Sequence, residues 1–585
     1  MQNASGISRK YRPVLFDSRS LQYKSPFGAV STRQKVFILF PVSKDLNSDR
    51  VKLIVRRNAH SLEYKLTYMG ENYGYDNYFV NFTIDREGTY FYRFEVESGD
   101  KTYYVGRDDE GKAIIGDWLP EWQLSVYQST YETPDYIKGG VIYQIFCDRF
   151  FHSGDKVVPK YGVLKEWHED VTVVDPDGVF RANDFYGGNF KGITEKLDYL
   201  SDLGVTAIYL TPIFKSHSNH RYDTADYSKI DDLLGTEEDF ENFVKSAESK
   251  GIAVILDGVF NHTGADSVYF NKLGRFPEVG AYQSEDSKYH DWFTFYDFPD
   301  NYACWWGITV VPTVARDAVG YREMIAGSDG IIKKWTEKGV RGWRLDVVDE
   351  LTSSFVEKIR KAVKTVDKNG LVIGEVWEDA STKQSYGEER QYFYGRQLDG
   401  VMNYVYKDAI IKYMFDNDSK SFVNTIYNIM ENYPKHSLDT CFTLLDSHDT
   451  VRAINVFSEA RVDGDKQRRR DYRLTDSEYN RGKKRLILAS AIQFFLPGVP
   501  CVYYGDEIGM QGFEDPINRR PFTWDNIDNE ILSHYKYLGK LRKDNREDFY
   551  ERAVLGTKGD SVIIKRGKLT LTVNPKSCDF TIEEE

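Results

Sequence analysis

From about residue 138 onward the chain alternates short apolar runs with amphipathic ones, and the apolar runs number eight. They are VIYQIF (141–146), TAIYLT (206–211), AVILDG (253–258), GWRLD (342–346), LVIGE (371–375), GVMNY (400–404), FTLLD (442–446) and PCVYYG (500–505). Each has the length and the β-branched or aromatic content of a buried strand. Between them lie ITEKLDYLSDLG, EEDFENFVKSAESKG and DGIIKKWTEKG, with apolar residues at helical spacing and a glycine near the end, where helices often stop. Strand and helix in alternation predict βα units around a parallel sheet, and eight units are the number that closes a (β/α)8 TIM barrel, an α/β fold.

The remaining stretches fit around that barrel. Residues 1–118 hold short runs such as KVFILF, VKLIVRR, YFVNFTI and TYFYRFEV between turn formers, which predicts an N-terminal β-sandwich. Residues 119–137, with two prolines and no clear period, read as a linker. The barrel is expected over 138–525. One connection, about 262–328 after the third strand, is long and aromatic, which predicts an inserted subdomain with Tyr269, Phe270, Tyr289, Trp292, Phe293, Phe295, Tyr296, Trp305 and Trp306 divided between core and surface. Residues 526–585 read as a helix and a small C-terminal β domain.

Composition narrows the function. A net charge of −13 argues against nucleic acid or an anionic membrane as partner, since either rewards a basic patch, and neutral ligands fit better. Mean hydropathy of −0.53 is that of a soluble globular protein. The opening MQNASGISRKYRPVLF has no apolar leader segment, so a cytoplasmic location is expected. The run LILASAIQFFLPGVPCVYY is broken by Gln493, Pro497, Gly498 and Pro500, and suits a buried helix and strand better than a membrane span. Five scattered cysteines without a CxxC indicate neither a disulfide framework nor a zinc site.

In such a barrel the chemistry sits where strands end. The third run ends in Asp257, Asn261 and His262, the fourth in Arg344 and Asp346, the fifth in Glu375 and the seventh in His448 and Asp449. Within GWRLD the apolar Trp343 and Leu345 alternate with Arg344 and Asp346, which puts a guanidinium beside a carboxylate on one face and favours the ionised acid. A second carboxylate, Glu375, stands in the apolar VIGEVW. Two such acids make a nucleophile and acid pair of the retaining glycosidase type. No HExxH, serine elbow or phosphate-binding glycine loop competes with that reading.

DGVFNH (257–262), GWRLDVVDE (342–350), GEVWE (374–378) and LLDSHDT (444–450) resemble, in order, the four signatures of glycoside hydrolase family 13, the α-amylase family. MNY (402–404), NHRYDTADY (219–227) and YYGDEIGMQGFEDPINRRPFTW (503–524) look like its cyclomaltodextrinase, maltogenic amylase and neopullulanase group. The resemblance implies that Asp346 is the nucleophile, Glu375 the general acid/base and Asp449 the carboxylate that binds ring hydroxyls. It implies that Arg344 orients the nucleophile, that His262 and His448 bind sugar hydroxyls, that Tyr222 stacks on the sugar, that Asp257 is partly structural and that Trp377 offers an acceptor-side platform. It further implies hydrolysis of α-1,4 and, where tolerated, α-1,6 bonds in cyclodextrins, maltooligosaccharides, pullulan or starch, and a homodimer formed through the N-terminal module. The alternatives left open are a glucan transferase and a catalytically dead carbohydrate-binding relative. Three departures stand out. Asp349 and Glu350 replace a Lys-His pair typical of α-amylases, and Glu378 stands where the group often has His. At a loop where some members bind calcium (149–155 with 187–189), Asp155 is the one strong oxygen ligand, beside Ser153 and Asn189. No cofactor is expected to be required, and calcium at Asp155 is the one metal the resemblance raises.

Overall fold

The eight apolar runs do close on one another. In a computed structural model, which describes residues 12–175 and 177–585, they form parallel strands β1 (Ile142–Ile145), β2 (Ala207–Leu210), β3 (Ala253–Gly258), β4 (Gly342–Leu345), β5 (Leu371–Val376), β6 (Gly400–Asn403), β7 (Phe442–Thr443) and β8 (Val499–Tyr503). Each pairs with the next, and β1 pairs with β8 as well as with β2, which closes the barrel. Its core takes the inward members of each run, among them Ile142, Tyr209, Ile255, Ile373, Met402, Phe442 and Val499. The register decides what meets at the rim. Asp257 lies opposite Arg344, Leu345 opposite Gly374 and Glu375 opposite Met402.

The predicted helical runs are helical. EEDFENFVKSAESKG gives Glu237–Ser249, opened by a capping box in which Thr236 and Asp239 satisfy each other's backbone N–H groups. Thr475 and Glu478 open Asp476–Phe495 in the same way. DGIIKKWTEKG gives Ile331–Glu337. The long connection after β3 is held by its own aromatic cluster, with Phe270 against Phe293 (4.9 Å between ring centroids), Tyr302 (4.7 Å) and Phe295 (5.8 Å). Tyr296 and Trp306 face solvent. After helix Asn529–Asp544, four antiparallel strands between Val554 and Glu584 make the C-terminal sheet, to which Tyr413 is tied by its hydroxyl on the Asp560 and Val573 carbonyls (2.8 and 3.0 Å).

The N-terminal unit is a separate body comprising residues through Tyr131 together with 393–395 and 424–435. Two sheets, of four and seven strands, share one apolar core in which Phe40 stacks on Phe94 at 4.1 Å. The linker expected at 119–137 is in part a strand. Trp122–Tyr127 pairs antiparallel with Gly88–Ser98 and parallel with Val30–Ser31. Its alternate residues Trp122, Leu124 and Val126 are buried in the sandwich, a two-residue period that outweighs the flanking prolines. Residues 1–11, on which much of the reading of the chain's start rests, lie outside the described residues. No helix of the described residues is long and apolar enough to cross a membrane.

Candidate active site

β3, β4 and β5 deliver three carboxylates to one guanidinium. Arg344, fully buried, donates from Nη1 to both oxygens of Asp257 (2.9 and 3.1 Å) and to Asp346 Oδ1 (2.7 Å), and its Nη2 lies 3.0 Å from Glu375 Oε2. Tyr209 and Tyr222 also donate their hydroxyls to Asp257 Oδ2 (2.6 and 2.9 Å). Buried and held by three donors, Asp257 acts as the fixed counter-charge of Arg344. Among the described residues, Asp346 Oδ2 accepts no hydrogen bond, so Arg344 holds one oxygen and leaves the other open.

The turn after Asp346 sets the second acid. Asp346 N–H still completes the ladder to Gly258 O (3.2 Å), but Val347 then adopts φ 39° and ψ 50°, left-handed values that are an outlier for a β-branched residue. That turn sends the Val347 N–H to Glu375 Oε2 at 2.8 Å. On the other side, Trp377 Nε1–H donates to Glu375 Oε1 at 2.9 Å, and the Trp377 ring lies flat on buried Tyr404 (3.8 Å, 12°). Trp377 is 43% exposed and so keeps a face for a ligand.

The β7 end joins the network through Tyr222. Its hydroxyl bonds His448 Nε2, and the two rings are parallel at 5.3 Å. Gln144 Nε2 lies 2.7 Å from His448 Nδ1; with Gln144 donating, the imidazole proton is on Nε2, which also faces Asp449 Oδ2 at 3.1 Å. Burial first, then the charges of Arg519 and Arg344, push the His448 pKa well below its ordinary value, so the ring is neutral. Asn518 and Arg519, from the stretch after β8, donate to the His448 carbonyl (2.8 and 2.9 Å), and Arg519 Nη2 reaches Asp449 Oδ1 at 3.3 Å. His262 is buried with its ring against Trp305 (5.4 Å, 25°), and burial takes its pKa down to about 4.

Electrostatics departs from the expectation at Asp346. The guanidinium is in place, yet burial is the larger influence and raises the carboxyl well above its ordinary value, with Glu375 and Asp257 adding to the rise. The rim holds a second surprise. Asp349 and Glu378, two of the departures noted in the sequence, share one cation: Lys383 lies 3.0 Å from Asp349 and also pairs with Glu378. Tyr392 donates to Asp349 as well, at 2.5 Å.

Most of the strand-end residues picked from sequence thus form one chain of contacts, Glu375–Arg344–Asp257–Tyr222–His448–Asp449, with Asp346 branching from Arg344, while Asn261 and His262 lie outside it, His262 against Trp305. Sequence reasoning missed Gln144, Tyr209 and Tyr404, and gave Arg519 no role although its NRR motif was in view. Asp155 stands apart, exposed on its loop. Asn189 Oδ1 is committed as a helix cap to Gly192 N–H (2.8 Å), and the described residues hold no cluster of three or more His, Cys, Asp or Glu side chains that could bind a metal. One exposed carboxylate and an amide oxygen already holding a helix end make a weak donor set for calcium, which takes about six to eight oxygens.

Comparison with known proteins agrees with this geometry. The family model "Alpha amylase, catalytic domain" matches residues 144–309 and 321–548. An amylopullulanase of Thermoanaerobacterium saccharolyticum is 33% identical over 591 residues, covering 92% of this chain and 45% of that one; the chain spans less than half the length of the amylopullulanases it matches. A cyclomaltodextrinase of Geobacillus thermopakistaniensis is 35% identical over 427 residues, covering 71% of this chain and 64% of that one. Among solved structures, the type III pullulan hydrolase from Thermococcus kodakarensis superposes with a TM-score of 0.67 at 26% identity, covering 96% of this chain and 94% of that one. With a family model matched along most of the barrel and the four signatures gathered at its strand ends, the chain belongs to the α-amylase family of glycoside hydrolases.

Proposed function

We propose that this chain is a retaining α-glucan hydrolase that cleaves α-1,4 bonds, and α-1,6 bonds where they fit, in cyclodextrins, maltooligosaccharides, pullulan or starch. In the first step Asp346 Oδ2 attacks the anomeric carbon while Glu375 gives its proton to the departing glycosidic oxygen, leaving a covalent glycosyl-enzyme. In the second, Glu375 takes a proton from the water that releases the sugar. Asp449 would hold ring hydroxyls, His448 and His262 would line the same sugar, and Tyr222 and Trp377 would offer faces to the sugars. The observation that carries this reading is the single guanidinium of Arg344 bridging Asp257, Asp346 and Glu375 within 3.1 Å.

Small or cyclic substrates are favoured by the resemblance to the cyclomaltodextrinase group, as is a homodimer through the N-terminal module. Product analysis on β-cyclodextrin, pullulan and soluble starch in parallel tests the assignment. Short maltooligosaccharides, formed fastest from β-cyclodextrin, support it. Products longer than the substrate would make the chain a transferase, and no products at all would make it a binding relative.

A further inference from the structure

A sugar platform needs only a flat, exposed ring, but Trp377 is held in a way that this role does not require. Its ring plane is fixed by Tyr404. Tyr404 in turn is the first residue of helix Tyr404–Asp416, pinned where the Asn403 side chain accepts the Tyr406 N–H at 3.2 Å. The stack aims the indole N–H at Glu375 Oε1, 2.9 Å away.

A carboxylate has about four acceptor positions, two on each oxygen. Glu375 Oε2 meets the Val347 N–H at 2.8 Å and Arg344 Nη2 at 3.0 Å, while Oε1 meets the Trp377 N–H. Nη2 makes no directed hydrogen bond to Oε2, but its charge beside that oxygen disfavours a proton there, which leaves Oε1 to carry it. We infer that Trp377 is a positioning residue for the general acid, its indole N–H fixing Glu375 Oε1 as the oxygen that carries the transferable proton. This rests on the acid role given to Glu375 above. In the first step the O–H bond at Oε1 breaks and its proton passes to the glycosidic oxygen. That oxygen keeps the electron pair of the breaking bond to the anomeric carbon, as Asp346 Oδ2 forms the new bond. In the second step a water proton returns to Oε1 as the water oxygen replaces Asp346. Without the indole N–H the acid is held at Oε2 alone and can turn about its side-chain torsions, and small misplacements of a reacting group cost rate steeply.

Trp377→Phe keeps an aromatic face and removes the donor. Two substrates separate the roles: maltotetraose, whose leaving oxygen needs the proton, and α-maltosyl fluoride, whose fluoride leaves without it. The expected result is a fall in kcat/KM on maltotetraose of about 10- to 100-fold, a part of the 10²–10⁴ that general acid catalysis supplies, and a fall at least tenfold smaller on the fluoride. Equal losses on both substrates, carried by KM, would overturn the inference and leave Trp377 as a platform only. Trp377→Leu, which also lacks the donor, is read in the same way should the Phe variant not fold as judged by circular dichroism. Glu375→Gln, measured alongside, must show the same contrast between substrates. If it does and the Trp377 variant does not, this inference fails alone; if Glu375→Gln shows no contrast, the acid assignment itself fails.

Discussion

Arg344 carries three acids on one side chain, and this has a consequence for pH. The nucleophile proposed at Asp346 has to be ionised, but burial raises its carboxyl despite the guanidinium beside it. A raised pKa means that protonation sets in earlier as the pH falls. The acid limb of kcat/KM should therefore lie above the ordinary aspartate value of about 3.9, and a limb at or below that value in a pH–rate profile would contradict the assignment. The carboxylates were legible in the sequence because they follow apolar strand runs, and Arg344 because it alternates with Trp343. Tyr209 and Gln144 were not, since each sits inside a run that reads as buried strand, and only closure of the barrel turns Tyr209 toward Asp257 and Gln144 toward His448. Lys383 was equally hidden: nothing in its neighbourhood says that it bridges Asp349 and Glu378.

At the scale of elements, the eight strands and the capped helices followed from periodicity and from residues such as Thr236 and Thr475, which satisfy helix ends locally. The strand Trp122–Tyr127 was misread because Pro120 and Pro134 flank an alternation only six residues long. The turn at Val347 could not be read at all, since a valine gives no signal for a left-handed backbone. Its stability comes from packing on β5: a Cβ added at Gly374 would meet Leu398 Cδ1 at 2.6 Å and Val348 Cγ1 at 2.8 Å. Gly374→Ala crowds the Leu398 and Val348 side chains, and the expected relief is a shift of the turn, and with it of the Val347 N–H that holds Glu375. The expected cost is about 1–3 kcal/mol of stability by urea unfolding, together with a lowered kcat. An alanine variant as stable and as active as the parent would show that this packing does not position the acid.

For the whole chain, charge and length pointed to a large acidic protein with a neutral ligand, and the strand count pointed to the barrel. What no local pattern announced is that residues 393–395 and 424–435 belong with the N-terminal unit, where Arg19 pairs with Glu431 at 3.0 Å; a contact between positions so far apart has no sequence period. The dimer proposed through that module is tested by sedimentation velocity at micromolar concentration, where a species of twice the chain mass of 67.8 kDa is expected and a monomer throughout would contradict it. The central claim is the covalent intermediate on Asp346, and it is tested most directly by trapping. With Glu375→Gln and α-maltosyl fluoride, the first step runs without an acid and the second lacks its base, so the glycosyl-enzyme should accumulate. Mass spectrometry of the digested protein should then place a maltosyl adduct on the peptide containing Asp346. An adduct on another residue, or turnover with inversion and no adduct at all, would contradict the account.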